Sequence, residues 1–242
     1  MNKYILYNVF LVNEGEIKKS HIAISNGKIE KISQIDIFNN VAYSSYEKIN
    51  AEGKYLLPGM IDEHVHFRTP GMIHKGDMST ESRAALAGGV TSVIDMPNVI
   101  PQTTTNVLLE EKLLLAKKTM YCNYAFHLAG TDTNLDEIYK IDKQNVAAIK
   151  LFLGSSTGNM LIQDEQVLDK IFSIECLPVL IHAENENIIR KNTELYRQRF
   201  GETMPISKHS NIRSEEACYT ASAAAVQRAK RLGTRLHVLH IS

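Results

Sequence analysis

The sequence predicts an α/β protein: a (β/α)8 TIM-type barrel of which only about six βα units are present, preceded by part of a small β domain. Three observations support this prediction. Short apolar strands alternate with helical stretches after Leu57-Pro58-Gly59, a pattern typical of parallel βα units. Before that point, Asn26-Gly27 lies between HIAIS and KIEKI and indicates a β-hairpin. No GxGxxG or GxxxxGK segment follows a strand, which disfavours a doubly wound nucleotide-binding sheet.

Residues 1–55 are predicted to form the N-terminal part of the small β domain. Three β-rich stretches are separated by Asn13-Glu14-Gly15 and Asn26-Gly27, and run over Tyr4 to Leu11, His21 to Ser25 and Lys28 to Ile32. Hairpin turns of this kind join neighbouring antiparallel strands. A polar stretch near Asn39 to Lys48 leads out of the predicted domain.

Residues 56–242 are predicted to form the barrel part of the chain. Its six expected strands are Met60 to His66, Thr91 to Pro97, Asn123 to Ala129, Val146 to Leu153, Pro178 to Ala183 and Arg235 to Ile241. Asn106 and Ser214 are predicted to cap two of the intervening helices. A complete barrel takes roughly 250 residues and eight strands, and six strands cannot close. We therefore expect the C-terminal part of the barrel to be missing or to be supplied by a second chain.

Composition restricts the classes of partner. The 27 basic side chains balance 27 acidic ones, so no net charge favours nucleic acid or an anionic membrane. No apolar run is long enough to span a bilayer. The N-terminus does not resemble a signal peptide, and the three cysteines form no CxxC pair. These features predict a cytoplasmic protein with a small-molecule ligand, and leave a homodimer open.

The strongest local pattern is GMIDEHVHFR, in which His64 and His66 lie two residues apart on a predicted strand. Both imidazoles therefore point to the same face. This face lies at the C-terminal end of the strand, where the active sites of barrels are found. The pair predicts a metal site; the alternative is two packed histidines. Asp62 shares the face, either as a partner of the histidines or bonded only to the backbone.

Lys150 lies in the middle of the apolar strand VAAIKLFL, where an unpaired ammonium costs several kcal/mol to bury. Either a carboxylate or the barrel rim compensates its charge, or carbon dioxide converts the amine to a carbamate. A carbamate has two oxygens and can bridge two metal ions.

His182 and His240 each end a predicted strand at the same face as the first pair. Imidazoles that converge on one barrel mouth are difficult to explain without a metal. We therefore predict that His64, His66, Lys150, His182 and His240 form one metal centre. The remaining histidines are expected to be structural or exposed: His21, His74, His127, His209 and His237.

Five spaced segments together resemble dihydroorotase, a member of the cyclic amidase group of the amidohydrolase superfamily. They are LLPGMIDEHVHFRTPG, KGDMSTESRAALAGGVTSVIDMPNVIPQT, AIKLFLGSS, VLIHAEN and HVLHIS. The resemblance extends from about residue 53 to the last residue. The segment before it resembles the small β-sandwich domain of longer family members.

This resemblance implies a binuclear zinc hydrolase of pyrimidine biosynthesis. His64 and His66 would bind one Zn²⁺ ion, His182 and His240 the other, and a carboxylated Lys150 would bridge them. Arg68 and Asn98 match the family's contacts to the carboxylate of dihydroorotate or N-carbamoyl-L-aspartate. The family's catalytic aspartate on strand eight would lie beyond residue 242, so no catalytic residue is assigned in this chain.

Two alternatives remain open at this level. An allantoinase or a hydantoinase would use the same metal centre on another cyclic amide. A non-catalytic, dihydroorotase-like partner of a transcarbamoylase would keep the barrel and lose the metal ligands.

Overall fold

The computed structural model describes residues 3–154 and 160–241. The chain divides into two compact units, Met1–Met60 and Ile61–Ser242. Each unit has apolar clusters of its own, because the strands within it pack against one another and against its own helices.

The first unit is a mixed β-sheet. Its strands are β1 (Lys3–Asn13), β2 (Glu16–Ser25), β3 (Lys28–Ser33), β4 (Glu47–Asn50) and β5 (Tyr55–Leu56), and a 3-10 turn covers Val41–Tyr43. The order is β3-β2-β1-β4, with β5 also paired to β1. Asn26 and Gly27 both have positive φ, as the predicted two-residue hairpin requires.

The purely antiparallel arrangement predicted for this unit is wrong. Strands β4 and β5 run parallel to β1, and β4 begins inside the stretch that was expected to lead out of the domain. All four of its residues are exposed, so the strand has no alternation of apolar and polar side chains that would have revealed it.

The second unit contains parallel strands in sequence order. They are β6 (Met60–Val65), β7 (Val90–Asp95), β8 (Asn123–Phe126), β9 (Leu128–Ala129), β10 (Ile149–Phe152), β11 (Val179–His182) and β12 (Leu236–Val238). Strands β8 and β9 form the third predicted strand, interrupted at His127. The seven strands form two sheets, with the orders β6-β7-β8 and β12-β11-β10-β9. The middle strands are almost entirely apolar and buried, as strands covered on both faces should be.

Helices follow the strands and complete the βα units. They are α1 (Met78–Ala87), α2 (Asn106–Thr119), α3 (Leu135–Tyr139), α4 (Glu165–Phe172), α5 (Glu186–Phe200), α6 (His209–Ile212) and α7 (Glu215–Leu232), with a 3-10 turn at Ile206–Lys208. Apolar side chains from the helices complete a core around Phe126, Ile149 and Leu151. No helix within the described residues is both long enough and apolar enough to cross a bilayer.

One of the two predicted helix caps is wrong. Ser214 caps α7, because its hydroxyl accepts from the Ala217 amide. Helix α2 is capped instead by Thr105, whose side chain accepts from the Leu108 amide. Asn106 is the first residue of the helix, and its side-chain amide donates to Glu137 on α3. Both residue types cap helices well, so the sequence could not decide between neighbours.

Candidate metal centre

The four predicted histidine ligands lie beside one another at the C-terminal ends of their strands. The centroid of the His64 ring is 5.2 Å from that of His66 and 5.2 Å from that of His240. The His240 centroid is 4.8 Å from that of His182. The structure therefore brings together side chains from the first, fifth and sixth strands of the barrel unit.

The closest contact in this group joins ring nitrogens. His182 Nδ1 lies 3.1 Å from His240 Nε2, and two imidazole nitrogens at this distance share either a proton or a cation. Two nitrogens bound to one tetrahedral Zn²⁺ at 2.0–2.1 Å would be about 3.3 Å apart. The spacing of this pair fits the predicted site for the second ion.

His66 is held by Asn98, which follows β7. Its Nδ1 is 2.8 Å from the Asn98 side-chain oxygen. An amide oxygen only accepts, so Nδ1 carries the proton and Nε2 keeps the free lone pair. The structure thus gives Asn98 a contact to a predicted ligand, in addition to the substrate contact that the sequence suggested for it.

Burial lowers the pKa of three of the site's imidazoles. It lowers the pKa of His64 to about 4, and His66 and the Lys150 ammonium add to this effect. Burial also lowers the pKa of His66, with Arg68 as the next cause, and that of His182. A neutral imidazole is the form that binds a metal ion, so the donor set fits zinc.

Lys150 is 1% exposed and lies on β10, close enough to His64, His66 and His182 for its charge to lower the pKa of each. Its Nζ donates a 3.3 Å hydrogen bond to the Leu151 carbonyl. Within residues 3–154 and 160–241, no carboxylate forms an ion pair with it. Burial lowers the pKa of Lys150 to about 7, so much of the amine is uncharged at neutral pH.

No three His, Cys, Asp or Glu side chains in the described part of the chain are grouped closely enough to hold one ion by themselves. The predicted centre does not require such a group. It assigns two imidazoles to each ion and the shared Lys150 carbamate as the bridge between them.

Arg68 and Asp62 flank the histidine pair of β6. Arg68 has a φ of 64°, an uncommon conformation outside glycine, and its charge acts on His66. Asp62 Oδ1 accepts from the His64 amide at 3.0 Å, so of the two roles left open for Asp62 the structure shows the backbone bond.

Four contacts beside the site were not predicted. Glu184 Oε2 lies 2.7 Å from His182 Nε2 and also accepts from Arg213 Nη1. On the other side, Asp95 accepts from the Phe67 amide at 2.9 Å and pairs with Lys112 at 2.7 Å. A sequence signal existed for Glu184, since it follows His182 by two residues in VLIHAEN. No sequence signal links Arg213 or Lys112 to the site.

The family profile described as "Amidohydrolase family" matches residues 55–209. The chain therefore belongs to the amidohydrolase family, as its motifs predicted.

The curated relatives that resemble this chain include a dihydroorotase and an allantoinase. The chain is 35% identical over 244 residues to a dihydroorotase of Methanosarcina acetivorans, covering 100% of this chain and 49% of the relative. It is 30% identical over 252 residues to an allantoinase of Desulfitobacterium hafniense, covering 98% of this chain and 53% of that relative. The chain thus spans about half the length of the curated relatives it matches.

A solved structure supports the fold. The L-hydantoinase (dihydropyrimidinase) from Arthrobacter aurescens superimposes with a TM-score of 0.90 at 28% identity, over 100% of this chain and 53% of that one. Together with the parallel strands, this likeness confirms the predicted α/β partial barrel.

Proposed function

We propose that this chain carries the metal-binding part of a dihydroorotase, which hydrolyses the ring amide of (S)-dihydroorotate reversibly to N-carbamoyl-L-aspartate. The observation that carries the proposal is the group of four adjacent histidines beside a buried lysine that has no carboxylate partner among the described residues. We further propose a role in pyrimidine biosynthesis in the cytoplasm.

The proposed cofactors are two Zn²⁺ ions held by residues of this chain. His64 and His66 would hold one ion, His182 and His240 the other, and the carbamate formed from Lys150 and CO2 would bridge them. Bound zinc would supply a Lewis acid for the amide carbonyl and lower the pKa of its bound water to about 7.

The chain's own residues would prepare this chemistry before any substrate arrives. Asn98 fixes the His66 tautomer with Nε2 free, and burial lowers the pKa of His64, His66 and His182. The buried amine of Lys150 carries no competing ion pair among the described residues, so it can react with CO2. Carbamate formation joins the amine nitrogen to the carbon of CO2 and releases one proton, and the product is an anion that two cations can neutralise.

Arg68 supports a substrate that carries a carboxylate. Its guanidinium presents a planar fork that matches a carboxylate, and its charge contributes to the lowered pKa of His66. Dihydroorotate and N-carbamoyl-L-aspartate have such a carboxylate at one end, whereas hydantoin and allantoin have none. The Arg68 fork therefore favours dihydroorotate.

A cyclic amidase of another specificity is the second candidate. It is supported by the likeness to the L-hydantoinase structure and to the allantoinase. A third candidate, a non-catalytic structural partner of a transcarbamoylase, is disfavoured because histidine or lysine stands at all five predicted ligand positions of this chain.

Two measurements on the full-length protein test the proposal. Turnover of dihydroorotate, allantoin and hydantoin should be compared side by side, and we expect turnover of dihydroorotate. Turnover of only the other two would reject this substrate in favour of the second candidate. Less than one zinc per chain in metal analysis would favour the structural partner.

A further inference from the structure

We propose that Glu184 and Arg213 form a positioning pair that fixes the tautomer and orientation of the His182 ring, with Nδ1 turned toward His240. The inference deepens the proposed function, because it rests on His182 being a ligand in the metal centre. Neither residue is assigned to the ligand set or to the substrate contacts.

Glu184 determines which nitrogen of His182 carries the proton. Its Oε2 lies 2.7 Å from His182 Nε2, and a carboxylate can only accept. The proton of a neutral imidazole is therefore on Nε2, and Nδ1 keeps its lone pair. That nitrogen is the one 3.1 Å from His240 Nε2, where a shared cation would lie.

Arg213 holds the carboxylate in turn. It follows helix α6, and its Nη1 donates to the same oxygen of Glu184 that accepts from His182. A carboxylate oxygen that accepts from Arg213 and from His182 is held on two sides, so the pair fixes the orientation of the ring.

The backbone of Glu184 is fixed independently of these side chains. A Cβ at Gly154 would lie 2.6 Å from the Glu184 carbonyl oxygen and 2.8 Å from its Cβ. The next residue, Asn185, donates its amide to the Ala217 carbonyl of α7 at 2.9 Å. The loops after β10 and β11 thus pack too closely for Glu184 to shift without disturbing both.

A cavity borders the Glu184–Arg213 pair. His182, Glu184, Arg213 and His240 line a cavity of about 430 Å³ together with His209, Cys218 and two apolar residues. The charged groups of the pair therefore have two alternative roles besides positioning His182. Glu184 could bind the ion itself, or Arg213 could contact the substrate, and the experiment distinguishes both from positioning.

The experiment compares Glu184→Ala, Glu184→Gln and Arg213→Gln with the unmodified protein. The matched control is Arg228→Gln, which removes an arginine of α7 from its pairs with Glu165 and Asp169 of α4. Two quantities are measured: zinc affinity by calorimetry, and the tautomer of His182 by ¹⁵N NMR of the metal-free protein.

We expect Glu184→Ala to weaken binding of one zinc ion by about 10–100-fold, the range for lost outer partners of metal-bound histidines. In the metal-free protein, His182 should change from the Nε2-protonated form to a mixture of tautomers. Glu184→Gln keeps an accepting oxygen and should retain the tautomer, with a loss of affinity smaller than about tenfold. Arg213→Gln should weaken binding of the same ion, and Arg228→Gln should change neither quantity.

Three results would overturn the proposal. The first is an unchanged His182 tautomer in Glu184→Ala, or in Glu184→Leu should the alanine variant fail to fold. The second is a Glu184→Gln variant as defective as Glu184→Ala, which would make Glu184 a direct ligand. The third is an Arg213→Gln variant with unchanged zinc affinity, as expected if Arg213 contacts only the substrate. Failure of the unmodified protein to bind zinc would reject the proposed function, whereas the NMR result would still report on the pair.

Discussion

Lys112 and Lys150 are both 1% exposed in the barrel unit, yet their surroundings differ in one respect that decides their roles. Lys112 on α2 lies 2.7 Å from Asp95 Oδ2 and 2.9 Å from the Met96 carbonyl oxygen. Lys150 on β10 has the Leu151 carbonyl at 3.3 Å and no ion pair within the described residues.

Burial alone therefore does not identify a functional lysine. Burial lowers the pKa of Lys112, but Asp95 opposes the shift, and the amine stays bound in an ion pair. Burial lowers the pKa of Lys150 to about 7 with no opposing partner. An unprotonated amine is the form that reacts with CO2, so of these two lysines Lys150, which has no ion pair among the described residues, suits the role of a bridging carbamate.

The largest effect on folding is expected from Lys112→Met. The substitution leaves the Asp95 carboxylate buried without its cation, and breaking a buried pair in this way costs about 3–5 kcal/mol. Urea unfolding of the metal-free protein measures the loss. The double variant Lys112→Met/Asp95→Asn should recover at least half of it, because no buried charge then lacks a partner. A loss below about 1 kcal/mol in the single variant would mean that the pair is not structural.

Lys150→Met should behave in the opposite way. Removal of an amine without an ion pair should leave the free energy of unfolding within about 1 kcal/mol of the unmodified protein or raise it. Zinc affinity should fall by at least about 100-fold, since the loss of a bridging ligand exceeds the 10–100-fold cost of a lost outer partner. Unchanged zinc binding in this variant would remove Lys150 from the site.

The pH dependence of stability should separate the two lysines further. In the metal-free folded protein the pKa of Lys150 is lowered to about 7 from 10.5. Between these values the unfolded chain binds a proton that the folded chain does not, so stability should rise with pH by about 2–4 kcal/mol. Unfolding free energies measured from pH 6.5 to 10 should show this rise in the unmodified protein, and Lys150→Met should lose it. Equal slopes in the two proteins would contradict the lowered pKa.

The smallest effect concerns the aromatic ring beside each lysine. Lys112 Nζ is 4.7 Å from the Phe126 ring centroid, and Lys150 Nζ is 4.3 Å from that of Phe152. An ammonium over a ring contributes about 0.5–2 kcal/mol, whereas a neutral amine contributes little. Double-mutant cycles at pH 8 with Lys→Met and Phe→Leu should therefore give a coupling near 1 kcal/mol for Lys112–Phe126 and near zero for Lys150–Phe152. Equal couplings would show that both amines are charged.

The sequence predicted the barrel strands and the grouping of the site residues because both depend on simple periodicities. Apolar runs identified the strands, and residues at the C-terminal ends of parallel strands must share one mouth. That rule alone placed His64, His182 and His240 together. Their role as ligands, like that of Lys150, stays a prediction.

The contacts that distinguish one buried polar residue from another could not be predicted in the same way. Lys112 pairs with Asp95 across 17 positions, and Arg213 reaches Glu184 across 29, so each contact depends on how a helix packs against a strand end. A lysine in an amphipathic helix normally indicates a solvent-exposed face. The sequence therefore gave no reason to expect Lys112 to be buried.

Electron density around Lys150 Nζ, in a crystal of the zinc-loaded protein grown in the presence of bicarbonate, tests whether Lys150 becomes a carbamate that binds both zinc ions. We predict a forked extension on this nitrogen whose two oxygens each lie about 2.0–2.2 Å from a separate zinc ion, with His64 and His66 on one ion and His182 and His240 on the other. An unmodified amine in a crystal whose four histidines hold metal would contradict the account.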